Sequence, residues 1–106
     1  MLDQCKALAN DTRLRILEWL KDPAANFGCP EVVELGVCAG LIQRKAGTSA
    51  STMSAHLAVL QRAGFLTATR RGQWIYYRRD EDRIRAFTEH LNQVLVHASA
   101  TTQKGR

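Results

Sequence analysis

At 106 residues the chain has room for one domain, and a core of that size holds without disulfide staples when helices share it. Its 45% hydrophobic and 24% charged composition is ordinary for a globular protein, and no apolar run approaches the roughly 20 residues of a membrane span, which excludes an integral helical membrane protein. Fifteen Lys and Arg against ten Asp and Glu give a net charge of +5, which favours a polyanionic partner.

The N-terminal residues, Met1 to Lys6, lack a basic region followed by an apolar stretch, so the expected compartment is the cytoplasm. From Leu2 to Leu20 the apolar residues recur at helical spacing, interrupted by Asn10-Asp11-Thr12, whose short polar side chains suit a helix N-cap; two helices are expected, the second over about 12–21. Asp22-Pro23 stops the second helix, and Lys21 to Gly36, with two prolines and two glycines, reads as a long loop carrying Phe27 and Cys29. Val37 to Ala46 reads as a short helix with Leu41 and Ile42 inward, ended by Gly47.

Thr48 or Ser49 caps the next helix, near Ser49 to Arg62, in which Met53, Leu57 and Leu60 share the inner side. Its other side is small and hydrogen-bonding: Ser51, Thr52, Ser54 and Ala55. A helix, a glycine turn and a second helix with a polar, uncharged outer face make the helix-turn-helix pattern, whose outer face enters a DNA major groove. After Gly64, two runs rich in β-branched and aromatic residues flank Arg71-Gly72, a hairpin or wing. Arginines at its tip and far end are placed to meet phosphates, and alternation sets Trp74 and Tyr76 against the core. Seven arginines lie between Arg62 and Arg85, concentrating the positive charge there. From Asp80 to Ala98, apolar residues spaced alternately three and four apart form a narrow seam suited to a partner helix. The last residues, 99–106, are small or polar and read as a disordered tail behind a single domain, 1–98.

The fold class expected is therefore mainly α with a small β-hairpin, a winged helix-turn-helix of about five helices plus a two-stranded wing. The candidate DNA-binding residues are Ser49, Ser51, Thr52, Ser54, His56, Gln61, Arg70, Arg71 and Gln73. The candidate homodimer interface joins Leu2, Cys5 and Ala9 of the first helix with Ile84, Phe87, Leu91, Val94 and Ala98 of the last. Three cysteines, an odd number, argue for free thiols, a metal site or a redox switch rather than a disulfide framework. Cys29 and Cys38 are the candidate sensing pair, forming a disulfide or undergoing modification; the alternative is arsenite or a soft metal on Cys38 with Cys29, Cys5 or both. His90 and His97 share a face of the last helix beside the dimer seam. No cofactor is expected. Nor is an enzyme: there are no paired carboxylates with a pocket, no Gly-rich phosphate loop and no nucleophile spaced from a partner base. A rival within the binding class is a winged-helix module that uses its seam to bind another protein.

Three segments in order resemble the ArsR/SmtB family of dimeric winged-helix repressors: Lys6 to Leu17 is similar to the family's opening signature, Ser49 to Gly64 to its recognition helix, and Arg71 to Arg78 to its wing. The resemblance implies a dimer held by the first and last helices, on a palindromic operator that it leaves when a ligand or oxidant acts. It also marks departures. Ala50 and Ala55 stand where the family often has Gln and His on the reading face, which shifts weight to DNA shape and the wing arginines. The family's Cys-x-Cys metal pattern is met by Gly36-Val37-Cys38, and its Asp and His set on the last helix by Glu81, Arg83, Val94 and His97, so no firm metal site is expected.

Overall fold

The computed structural model describes residues 1–28 and 32–97. Cys29, Ala98 and the tail expected over 99–106 lie outside the described residues. Two helices come first, α1 (Leu2–Leu8) and α2 (Asp11–Trp19). Asn10 separates them as an N-cap whose side chain accepts from the Arg13 N–H at 3.0 Å, satisfying one of the donors that a helix start leaves unpaired.

The stretch expected as loop holds two short helices, α3 (Pro23–Phe27) and α4 (Val32–Leu35). Pro23 starts α3 rather than merely ending α2, because its fixed φ suits a first helical position and the Asp22 carboxylate accepts from the Ala25 N–H at 3.3 Å. Asn26 then ties α3 back to α2 by donating to the Trp19 carbonyl at 3.1 Å, and the Lys45 ammonium sits 5.5 Å from the Trp19 ring centroid and 5.6 Å from that of Phe27.

A second correction falls at residues 37 and 38. They form a strand, β1 (Val37–Cys38), and the helix expected from Val37 begins two residues later as α5 (Ala39–Ala46). The recognition helix α6 (Ala50–Arg62), the hairpin β2 (Leu66–Arg71) and β3 (Trp74–Arg79), and α7 (Glu81–Leu95) complete the chain. The sheet is antiparallel in the order β1-β3-β2, so the wing has a third strand at its base. Gly36 makes that strand possible: its φ is +104°, and a Cβ would overlap the Tyr77 carbonyl oxygen. The hairpin turns on Gly72 and Gln73 with positive φ at Gly72 alone, the pattern of a type II′ turn.

Ile16, Val37, Ile42, Met53, Leu57, Leu60, Phe65, Leu66 and Phe87 fill the core. Phe65 and Phe87 meet edge to face with centroids 5.3 Å apart. Phe87 is 5% exposed and so is spent on the chain's own core, not on the seam to which its spacing assigned it. Farther along α7, Val94 and Leu95 remain 57% and 72% exposed, and Leu2 of α1 is 67% exposed.

Candidate nucleic-acid interface

The turn between α5 and α6 is held from both sides. Gly47 closes α5 in the left-handed region with its N–H on the Gln43 carbonyl at 2.9 Å, while the Gln43 side-chain amide donates to the Thr48 carbonyl at 3.3 Å. Ser49 is the N-cap of α6. Its Oγ accepts from the Thr52 N–H at 3.2 Å and donates to the Thr52 Oγ1 at 2.9 Å, which fixes the first turn. Met53, Leu57 and Leu60 anchor the helix in the core, so Ser51, Thr52, Ser54, Ala55, Gln61 and Arg62 are left exposed. A shallow groove lined by Ala50, Met53, Ser54 and Leu57 of α6 and by Ile75 and Tyr77 of β3 brings the recognition helix beside the wing.

His56 has a different place from the one its sequence position suggests. Arg13 of α2 donates from Nε to the Ala7 carbonyl at 2.6 Å and from Nη2 to the Lys6 carbonyl at 3.2 Å, and its Nη1 lies 3.1 Å from His56 Nδ1. A guanidinium only donates, so Nδ1 accepts and the imidazole is neutral with its proton on Nε2. Burial, and then the Arg13 charge, push the His56 pKa below its ordinary 6.5. His56 is thus half-buried and engaged in bracing α6 against α1 and α2, leaving Nε2–H as its remaining donor. Sequence reading missed Arg13; the only signal for it is its place in the opening signature.

The wing arginines divide into two kinds. Arg70 and Arg71, with Gln73, are exposed at the tip, and Arg70 makes a 3.4 Å contact from Nη1 to the Gly72 carbonyl. At the far end Arg79 is structural: it forms a bidentate pair with Glu81 at 2.8 and 3.0 Å, donates to the Leu17 carbonyl at 3.0 Å, and has a side chain only 13% exposed. Arg78 donates to the Glu34 carbonyl at 3.1 Å. The far-end arginines therefore hold the hairpin to the body, whereas Arg70 and Arg71 at the tip are left exposed.

Strand phase also differs from the expectation. Ile75 and Tyr77 face the core side, where burial raises the Tyr77 pKa, and Trp74 at the hairpin end is 54% exposed. Trp74 pairs with Arg71 across the turn. The two alternations of β3 are almost equally apolar, so tertiary packing decides between them: Tyr77 pairs with the buried Val37, and Ile75 and Tyr77 line the groove with α6.

Cys38 is half-buried, is the N-cap of α5, and pairs with Tyr76 of β3. Cys5 is half-buried on α1 against the core, and both thiols are free. Gly36 occupies the first position of the Cys-x-Cys pattern, and its backbone has no room for a side chain. Among the described residues no three His, Cys, Asp or Glu side chains come together as a metal site. The charge distribution is one-sided: between Glu34 and Asp80 the sequence has no acidic residue and seven basic ones, namely Arg44, Lys45, Arg62, Arg70, Arg71, Arg78 and Arg79. Among the described residues no helix is long and apolar enough to cross a membrane.

No family model matches the chain. It is 42% identical over 89 residues to an uncharacterised HTH-type transcriptional regulator, YbzH, of Bacillus subtilis (strain 168), an alignment covering 81% of this chain and 89% of that protein. Among solved structures it is similar to Mb0332 of Mycobacterium bovis, described as the homodimeric winged helix-turn-helix DNA-binding domain of a possible ArsR-family regulator, with 28% identity, a TM-score of 0.62, and 92% and 82% of the two chains covered. It is also similar to HlyU of Vibrio cholerae, at 25% identity and a TM-score of 0.61 over 91% of each chain; that protein is also known in a reduced form. These relatives are regulators and not enzymes. With this identity, this coverage and the helix-turn-helix and wing in place, the chain belongs to the ArsR-type winged helix-turn-helix transcriptional regulators.

Proposed function

We propose that the protein is a homodimeric repressor that sets α6 in the major groove of a palindromic operator and the tip of the wing on adjacent phosphates. The observation that carries this reading is the exposed, uncharged, hydrogen-bonding face of α6 lying beside a hairpin whose tip arginines form no ion pair among the described residues, within a stretch devoid of carboxylates. Ser51, Thr52, Ser54 and Gln61 offer hydroxyl and amide groups to base edges, with His56 contributing only Nε2–H. Arg70 and Arg71 supply phosphate contact, with Gln73 beside them at the tip. The exposed Leu2, Val94 and Leu95 suit a helix-mediated dimer, and Mb0332 is homodimeric.

Release from DNA follows thiol chemistry at Cys29 and Cys38. A peroxide takes two electrons and two protons from the pair as the disulfide forms, its O–O bond breaks, and it leaves as two waters or, for an organic hydroperoxide, as an alcohol and a water. Cys38 is suited to this role because it begins α5 and pairs with β3, so a bond there pulls on both the helix-turn-helix and the base of the wing. Such a switch suits the cytoplasm, where thiols stay reduced until an oxidant arrives.

The test is a gel shift on genomic fragments, repeated with reductant, peroxide and arsenite. The expected result is a sequence-selective complex in reductant that is lost with peroxide, and a Cys38→Ser variant that binds but no longer responds. No selective complex under any condition overturns the DNA reading, and a Cys38→Ser variant that still responds overturns the thiol reading. Loss with arsenite alone transfers the role to soft-ligand binding.

A further inference from the structure

We propose that Trp74 is a DNA-contacting residue, placing its indole against the sugar and base edges of the minor groove next to the major-groove stretch that α6 occupies. This rests on the DNA-binding reading above and extends it to a residue and a groove.

Exposure is the first observation. A tryptophan offers 150–250 Å² of surface, about as much as any side chain can bury, yet Trp74 is 54% exposed. Among the described residues no ring contact, cation–π contact or hydrogen bond engages its indole. Trp19, by contrast, is half-buried with the Lys45 ammonium over its ring. Nothing among the described residues accounts for so large an apolar group at that position.

Its surroundings specify the partner. Trp74 stands at the end of the hairpin, beside the Gly72-Gln73 turn and directly across from Arg71, and paired residues of a ladder share a face. Arg70 pairs with Ile75 and takes the opposite face. The tip thus carries an aromatic wedge with a cation beside it and a second cation behind it, and residues 35–79 contribute no carboxylate. An apolar wedge flanked by arginines is the chemistry that enters a minor groove, where narrow A·T stretches concentrate negative potential. The indole N–H donates and cannot accept. The floor of an A·T pair presents only acceptors, whereas a G·C pair adds a donor. Trp74 therefore favours A·T pairs beneath the wing.

The experiment uses the full chain and a duplex recovered by selecting it against a random-sequence DNA pool. Affinity is measured over a range of salt for the wild type, Trp74→Ala, Trp74→Phe and Arg71→Ala. Trp74→Ala is expected to bind about tenfold more weakly at every salt concentration with an unchanged slope, since no ion is lost, whereas Arg71→Ala lowers the slope by about one. Trp74→Phe, which keeps an aromatic in the strand, retains most of the affinity and loses the preference for A·T beneath the wing. In a Trp19→Phe background, Trp74 is the sole indole and its emission is quenched as duplex is added. Wild-type affinity in Trp74→Ala, or sole-indole emission unchanged at saturating duplex, overturns this proposal while leaving DNA binding intact. A wild type that binds no duplex overturns both.

Discussion

One guanidinium ties three helices together. Arg13 starts from α2, closes the C-terminal carbonyls of α1 and holds His56 of α6. Hydrogen bonds from a charged donor each contribute about 1.5–3 kcal/mol, and because this site is only partly buried, Arg13→Ala is expected to lower stability by about 2 kcal/mol in urea unfolding. The pairing also has a pH signature. The folded chain holds the His56 pKa below 6.5, so the unfolded chain binds the proton more readily. The contribution is fully present above 6.5 and is lost as pH falls through the lower folded value. A His56→Gln variant keeps an acceptor for Arg13 and has nothing to protonate, so acidification below pH 6.5 should cost the wild type more stability than the variant. Equal losses in the two proteins would remove the bridge from the account. None of this is legible from periodicity: Arg13 and His56 are 43 residues apart, and a histidine on a recognition helix reads as a DNA contact until its partner is seen.

Among the elements, α7 shows most clearly what a spacing pattern can and cannot tell. Ile84, Phe87, Leu91 and Val94 follow helical spacing, and the sequence places them on one face. A face does not say what covers it. The first turns of α7 lie on Phe65, whereas Val94 and Leu95 extend past the core. Phe87→Ala is therefore expected to destabilise the chain by about 3–5 kcal/mol, read as a lower urea midpoint. The double variant Val94→Ser with Leu95→Ser should keep the far-UV helical signal and shift sedimentation toward the monomer. If Phe87→Ala instead dissociated a still-folded chain, α7 would be an interface helix throughout. The strand β1 was not legible for a different reason: two residues carry no period, and their identity as a strand is set by Tyr76 and Tyr77 far along the chain. The phase of β3 and, with it, the exposure of Trp74 are likewise set by tertiary packing.

Across the whole molecule, the order of α1, α2, α5, α6, the hairpin and α7 was legible because these elements are punctuated locally, by Asn10, Gly47, Ser49, Gly64 and Gly72, whereas α3, α4 and β1 were not. The division of labour among the arginines was not, because it depends on carbonyls and a carboxylate brought near by the fold. What the fold yields is a body whose carboxylates lie before residue 35 and after residue 79, with a hydroxyl-bearing helix and a cationic hairpin between. The most direct test is hydroxyl-radical footprinting of the full chain on the selected duplex. Two protected stretches related by a twofold axis are expected, their centres a whole number of helical turns of about 34–36 Å apart, each flanked by protection under a wing. Uniform protection along the duplex, or none at concentrations that shift it fully, would contradict that arrangement.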